Sequence, residues 1–211
     1  MPTEIEVANL ALERIGSNSI MSLDDPNIEA RTVKRELEQS RLYLLRHIEW
    51  NFAAKWVQLD TPSNDIVLPQ FDYVFRAPAD MIMIRGLKYP KSGGSASSSV
   101  DIGLDPIRRW QRVGQYIGTN YSQPVVEYTW DCPIGHWDGS AAEALAWRVA
   151  SQIAIPLARS ADTKNMAIAE YSTTLQFAQN VDGREGVQDR LVTDNRLTGA
   201  RRRGGGVGRA W

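Results

Sequence analysis

The stretch DPNIEARTVKRELEQSRLYLLRHIEWNFAA, residues 25–54, decides how the rest of the chain is read. Asp25-Pro26 has the form of a helix start, with Asp capping free N–H groups and Pro in the first turn, where its missing N–H costs nothing. Behind it Val33, Leu37, Leu44, Ile48 and Phe52 form an apolar line, and Arg31, Lys34, Arg35, Glu38 and Arg41 supply a solvated face. Unbroken from Pro26 to Ala54, the helix would be about 43 Å long at 1.5 Å per residue. That is long for a small domain and points to an element that spans an assembly.

Upstream, Ile5, Ala8, Leu12 and Ile15 recur at helical spacing and stop at Gly16, which predicts a short amphipathic helix over Glu4 to Ile15. Downstream, from Lys55 to about Trp130, the texture changes to β-prone runs punctuated by Pro and Gly: Ile66-Val67-Leu68, Tyr73-Val74-Phe75, Met81 to Ile84, and Val125 to Trp130. Lys91 to Ser99 is a Gly/Ser-rich loop with almost nothing to bury. Tyr116 to Asn120 reads as a strand ending in a polar turn, with Pro124 opening the next strand, so a hairpin is predicted between them. Helical texture returns at Ala141, with Ala142, Leu145, Val149 and Ile153 on one face and Pro156 ending or kinking it. Asp162 is positioned to cap a last helix through Met166, Ala169, Thr173 and Phe177, which fades near Asp182-Gly183.

The expected fold is therefore mainly α: a four-helix bundle with an inserted small β-rich subdomain and an extended C-terminal tail. Residues 1–54 and 138–186 make the helical bundle, 55–137 the insertion, and 187–211 the basic flexible tail.

The chain has 211 residues, 43% of them hydrophobic, enough for a substantial core. A net charge of −1 and a pI near 6.2 argue against a surface that grips nucleic acid all round. No run approaches the roughly 20 apolar residues of a membrane helix, and Met1-Pro2-Thr3-Glu4 lacks a secretory leader pattern, so a soluble protein with no membrane partner is expected. Cys132 is the lone cysteine, with only His47 and His136 beside it, so neither a disulfide framework nor a Cys/His metal site is expected.

Chemistry is sparse. Gly204-Gly205-Gly206 lacks the following Lys-Ser/Thr and the preceding strand of a phosphate-binding loop. His47, beside Glu49 and Trp50, has the composition of an oriented general base but fits a helix-surface histidine better. Asp131, Cys132, His136 and Asp138 superficially resemble a nucleophile–base cluster, yet such clusters are usually assembled across a fold, and Cys132 reads as buried filler. Asp24-Asp25 reads as capping. The aromatic set Trp50, Phe52 and Trp56 reads as core in preference to a carbohydrate platform. No catalytic, cofactor or metal residues are assigned. Between Arg184 and Arg209 stand seven arginines against three acids, and Trp211 closes the sequence; Arg201, Arg202, Arg203, Arg209 and Trp211 are the candidate docking residues of the tail.

Ser22-Leu23-Asp24-Asp25, then Glu29-Ala30, Arg41-Leu42, Leu44-Leu45-Arg46 and Trp50-Asn51-Phe52-Ala53, resembles the N-terminal signature of the podovirus tail tubular protein A family. Phe75 to Asp80, Tyr116 to Asn120, Pro124 to Tyr128 and Ala141 to Ala150 resemble its later parts, so the resemblance runs to about Gly186. The Gly/Ser loop and the tail match no family pattern. The resemblance implies a structural, non-enzymatic virion protein at the head–tail interface, made in the host cytoplasm: a homo-oligomeric, dodecameric ring between portal and tail nozzle, with double-stranded DNA passing through its lumen. It implies no cofactor and leaves open whether tail fibres or spikes attach. Glu29, Leu45, Trp50, Asn51 and Phe52 are its signature core and interface residues, and the arginine tail is read as docking on the portal. The rival readings are a nucleic-acid-binding protein that uses that tail and a polysaccharide-cleaving enzyme that uses the carboxylates.

Overall fold

The computed structural model describes residues 1–88 and 110–185. The Gly/Ser run and the candidate tail residues Arg201, Arg202, Arg203, Arg209 and Trp211 lie outside the described residues.

Helix α1 (Glu4–Arg14) opens on a reciprocal cap, the Thr3 hydroxyl accepting from the Glu6 N–H and the Glu6 carboxylate from the Thr3 N–H. It stops before Gly16, whose φ of 71° suits glycine at a helix end. Helix α2 (Ile28–His47) differs from expectation at both ends. Its cap is Asn27, whose side chain accepts from Ala30 N–H at 2.7 Å. Asp25 instead accepts the N–H groups of Met21 and Ser22, closing the turn before the helix. At the far end Ile48 turns extended, so α2 is 20 residues long, about 30 Å. The buried line Leu37, Arg41, Leu44 shows why. Continued at 100° per residue, the helix would carry Trp50 to its solvent side; by leaving the helix, Trp50 becomes completely buried.

Helix α3 (Gly139–Ile153) starts at Asp138, whose carboxylate accepts the Ser140 N–H at 2.9 Å. Ala141, Ala142, Ala144, Leu145, Ala146, Val149, Ala150 and Ile153 are all buried, which its small side chains allow by letting α1, α2 and α4 approach it on different sides. Pro156 falls in a π-helical turn, Ala154–Ala158, that ends with Arg159 at φ 52°. Helix α4 (Ala161–Glu185) then runs back along α3. Its first turn is capped by the Ser160 hydroxyl, which accepts from Thr163 N–H, and not by Asp162.

Six strands form two antiparallel three-stranded sheets. The first has the order β1 (Ala54–Gln58), β6 (Val125–Trp130), β3 (Met81–Lys88); the second has β2 (Tyr73–Arg76), β5 (Tyr116–Thr119), β4 (Trp110–Val113). The predicted hairpin is therefore corrected: β5 and β6 belong to different sheets, and the tight hairpin is β4–β5, turning at Gly114 with φ 59°. Ile66-Val67-Leu68 forms no strand. It leads into a loop whose Leu68 and Phe71 lie on Gly118 of β5, where an added Cβ would stand 2.4 Å from Phe71 Cδ2 and 2.8 Å from Leu68 Cδ1.

Phe75 and Ile117 of one sheet share a core with Met81, Val126 and Tyr128 of the other and with Leu59. Two sheets with a core of their own are a coequal layer, so the expected mainly α four-helix bundle is wrong. The fold is mixed α/β, with about half of the described residues helical and about a fifth in strands. Strand residues spaced along the sequence made few local pairs, and their pairing across it could not be counted from composition. No helix among the described residues is long and apolar enough to cross a membrane.

Candidate functional site

The segment Trp50-Asn51-Phe52 stands where α2, the first sheet and the end of α4 meet. Trp50 stacks on Phe52 at 5.5 Å, and Phe52 packs on Trp137 at 5.5 Å. The Trp50 indole N–H is buried and has no hydrogen-bond partner among the described residues. Arg85 of β3 donates to the Trp50 carbonyl and to Thr129 Oγ1 of β6; burial holds its guanidinium below the ordinary arginine value, with Glu49, Glu127 and Asp182 opposing. Asn51 N–H donates to the Asp182 carboxylate, 3.0 Å from both oxygens, and Asn51 Nδ2 donates to the Asp182 carbonyl at 2.6 Å. Burial pushes the Asp182 carboxyl up, against the Asn51 bond. Of the other signature residues, Leu45 is fully buried in the helical core and Glu29 is half-buried in the first turn of α2.

Arg41 ties α2 to the segment between β6 and α3. It donates twice to Glu38 (3.0 and 2.8 Å), to Asp131 at 2.6 Å and to the Cys132 carbonyl at 3.0 Å. Burial opposes its charge, but the bonds to Glu38 and Asp131 outweigh burial and hold it above its ordinary value. The Cys132 carbonyl also accepts from Trp137 Nε1 at 3.2 Å.

The other polar residues singled out from the sequence have separate neighbours. His47 lies on Tyr43 at 3.9 Å and donates through Nδ1 to the Tyr43 carbonyl, one turn back in its own helix. Asp131 binds Arg41, Asp138 caps α3, and His136 meets the edge of Trp130 at 5.7 Å. Cys132 is completely buried, and burial pushes its thiol up to about 11. Asp24 pairs with Lys34. The core expectation for the aromatic set fits Trp50 and Phe52 but not Trp56, which is 49% exposed with Lys88 Nζ 3.6 Å above its ring. Alternation along β1 explains this: Val57 packs on the core between the sheets, and its neighbour Trp56 points the other way.

The feature that sequence reading misjudged most is α4. Met166, Ala169, Thr173 and Phe177, its expected apolar line, are all exposed, with Met166 at 48% and Phe177 at 63%. Ala167 and Ala178 are its only fully buried residues, with Tyr171 and Leu175 packed beside them. Ile168 is also 46% exposed, and from Asn165 to Asn180 the helix carries one charged residue, Glu170. Two apolar lines on one helix were present in the sequence; which one meets α3 depends on α3. Comparison with protein-family models and with curated proteins gives no match for this chain.

Proposed function

We propose that this protein is a structural virion component, a head-to-tail adaptor of a short-tailed phage, acting as one subunit of a ring between portal and tail nozzle through which genomic DNA passes. The observation that carries the reading is α4, a long helix that leaves Met166 and Phe177 uncovered together on one flank and Ile168 uncovered on the other, with Glu170 the one charged residue between Asn165 and Asn180. A helix that serves only its own subunit normally turns charged or polar residues to solvent, and exposed large apolar side chains rimmed by polar residues are the form of an interface. A ring uses head-to-tail contacts and so needs two unlike adhesive faces on each subunit.

The near-neutral charge supports a conduit, because each neutralised phosphate adds affinity that DNA transit must overcome. The family resemblance supplies the ring number of twelve, the portal, the nozzle and the absence of enzymatic activity. The test is native mass spectrometry of the purified protein, alone and mixed with portal rings from the same virion. The expected result is a monomer that becomes a roughly twelve-copy complex only with portal, and Met166→Lys with Phe177→Asp should keep the monomer folded while blocking that complex. A monomer that ignores the portal and binds DNA with a steep salt dependence would replace this reading with the nucleic-acid-binding one.

A further inference from the structure

β1 borders the first sheet, with β6 its one neighbour among the described residues. The Leu59 N–H donates to the Pro124 carbonyl at 2.9 Å, and the register from Ala54↔Thr129 to Gln58↔Val125 leads into that bond without a shift. The main-chain groups of an antiparallel strand alternate between its two edges. Lys55, Val57 and Leu59 therefore turn theirs toward β6, and Trp56 and Gln58 turn theirs away. The Ala54 N–H is taken by the Asn51 carbonyl, but the N–H and C=O groups of Trp56 and Gln58 have no partner among the described residues, and both residues are exposed. Natural sheets block such an edge with a bulge, a proline, a charge or a covering loop. β3, at the opposite side of this sheet, has register breaks after Met81 and Ile84, and Arg112 donates to its Ile82 carbonyl. β2 is covered by Pro62 and Ser63, the Ser63 N–H donating to the Val74 carbonyl. β1 has no break and no proline, and its one charge, Lys55, is drawn to Asp80.

We infer that the bare edge of β1 is the docking site for residues 187–193 of this same chain, which add to the first sheet as a fourth strand running in the direction of β1. The place where α4 ends selects this occupant. Asp182 holds both the main chain and the side chain of Asn51, three residues ahead of β1 and one turn before the end of α4 at Glu185. The chain thus leaves α4 close to the first residue of the bare edge. From Asn51 to Gln58 is at most about 23 Å at roughly 3.3 Å per residue, and residues 186–193 cover about 26 Å when extended. Leu191-Val192-Thr193 favours a strand, and Gly186 and Asp194-Asn195 bound the run with turn-forming residues. No proline stands between Val187 and Thr193, so every residue there brings an N–H to the ladder. A segment tethered this closely meets the edge at an effective concentration in the millimolar range, ahead of a strand from another molecule. The assignment does not depend on the ring reading.

The test is amide hydrogen exchange of the full chain as a monomer, followed residue by residue by NMR. The Trp56 and Gln58 amides should exchange slowly, as the Val57 amide does through its bond to β6. Leu191→Pro with Val192→Pro removes one donor on each side of the added strand and should speed the Trp56 and Gln58 amides by about 10-fold or more. Lys55 and Val57 should stay within about 2-fold, which also verifies that the body of the variant is folded. The milder Leu191→Gly with Val192→Gly, which lowers strand propensity but keeps both donors, should produce a smaller rise at the same two amides. Trp56 and Gln58 amides that exchange as freely in the wild-type monomer as in an unstructured peptide overturn the assignment. So does protection that survives both variants, which gives the edge to another occupant, or protection that vanishes on dilution, which gives it to a second copy.

Discussion

Replacing Arg41 by Met removes the guanidinium but keeps an unbranched apolar stem, and so isolates the ties between α2 and the segment leading into α3. The side chain is 9% exposed, whereas Glu38 and Asp131 are 57% and 50% exposed. Both acids therefore recover water when the arginine is lost, and the Cys132 carbonyl keeps its bond from Trp137. The cost is accordingly below the roughly 3–5 kcal/mol of a buried charge stripped of its partner and close to that of charge-assisted hydrogen bonds, about 1.5–3 kcal/mol. Taking about 2 kcal/mol, a chain of this size should melt roughly 4–8 °C lower. Urea unfolding of the monomer measures the free energy and calorimetry the shift. A loss under about 0.5 kcal/mol would show that the Arg41 bonds merely replace equivalent bonds to water, and one above about 4 kcal/mol would show that Glu38 and Asp131 are trapped without solvent.

Gly118→Ala should destabilise by about 1–3 kcal/mol, the usual range for overpacking, and hasten proteolysis between 62 and 72; adding Phe71→Ala should relieve part of the defect, and unchanged melting with an unchanged digestion pattern would refute the packing of that loop on β5. Tyr128 donates to Asp80 Oδ1 at 3.0 Å, and burial together with that carboxylate pushes its hydroxyl up to about 12. The folded value lies above the free one, so this contribution is whole below pH about 10 and is lost as pH rises toward 12. Ultraviolet titration should show Tyr128 among the late-ionising tyrosines, beside Tyr171, which burial also pushes up, and Asp80→Asn should bring one of them earlier; an unaltered curve in that variant would deny the coupling.

Much of the helical part was legible because its signals are local. Gly16 and the alanine run in α3 act within a few residues of themselves; the Thr3–Glu6 cap is equally local and went unread. The end of α2 was not, since Ile48 and Phe52 continue the helical period and only the burial of Trp50 by residues far along the chain decides against it. Strand runs were visible, partners were not: β5 and β6 are five residues apart and pair with different sheets. For the site, the importance of the Trp50-Asn51-Phe52 segment was suggested by resemblance, but its bond to Asp182 joins positions 131 residues apart and has no sequence signal.

The Asn51–Asp182 tie has a mechanical meaning. Asp182 stands three residues before the last described turn of α4 ends, and Asn51 is linked through the Trp50 carbonyl and Arg85 to Thr129 on the central strand of the first sheet. Tension applied to the chain beyond Glu185 thus has a short path into the sheet that does not run back through the length of α4. An unfastened helix would peel turn by turn from its loaded end; here the first turns are braced against a strand with neighbours on both edges, so the load is shared between helices and sheet from the outset.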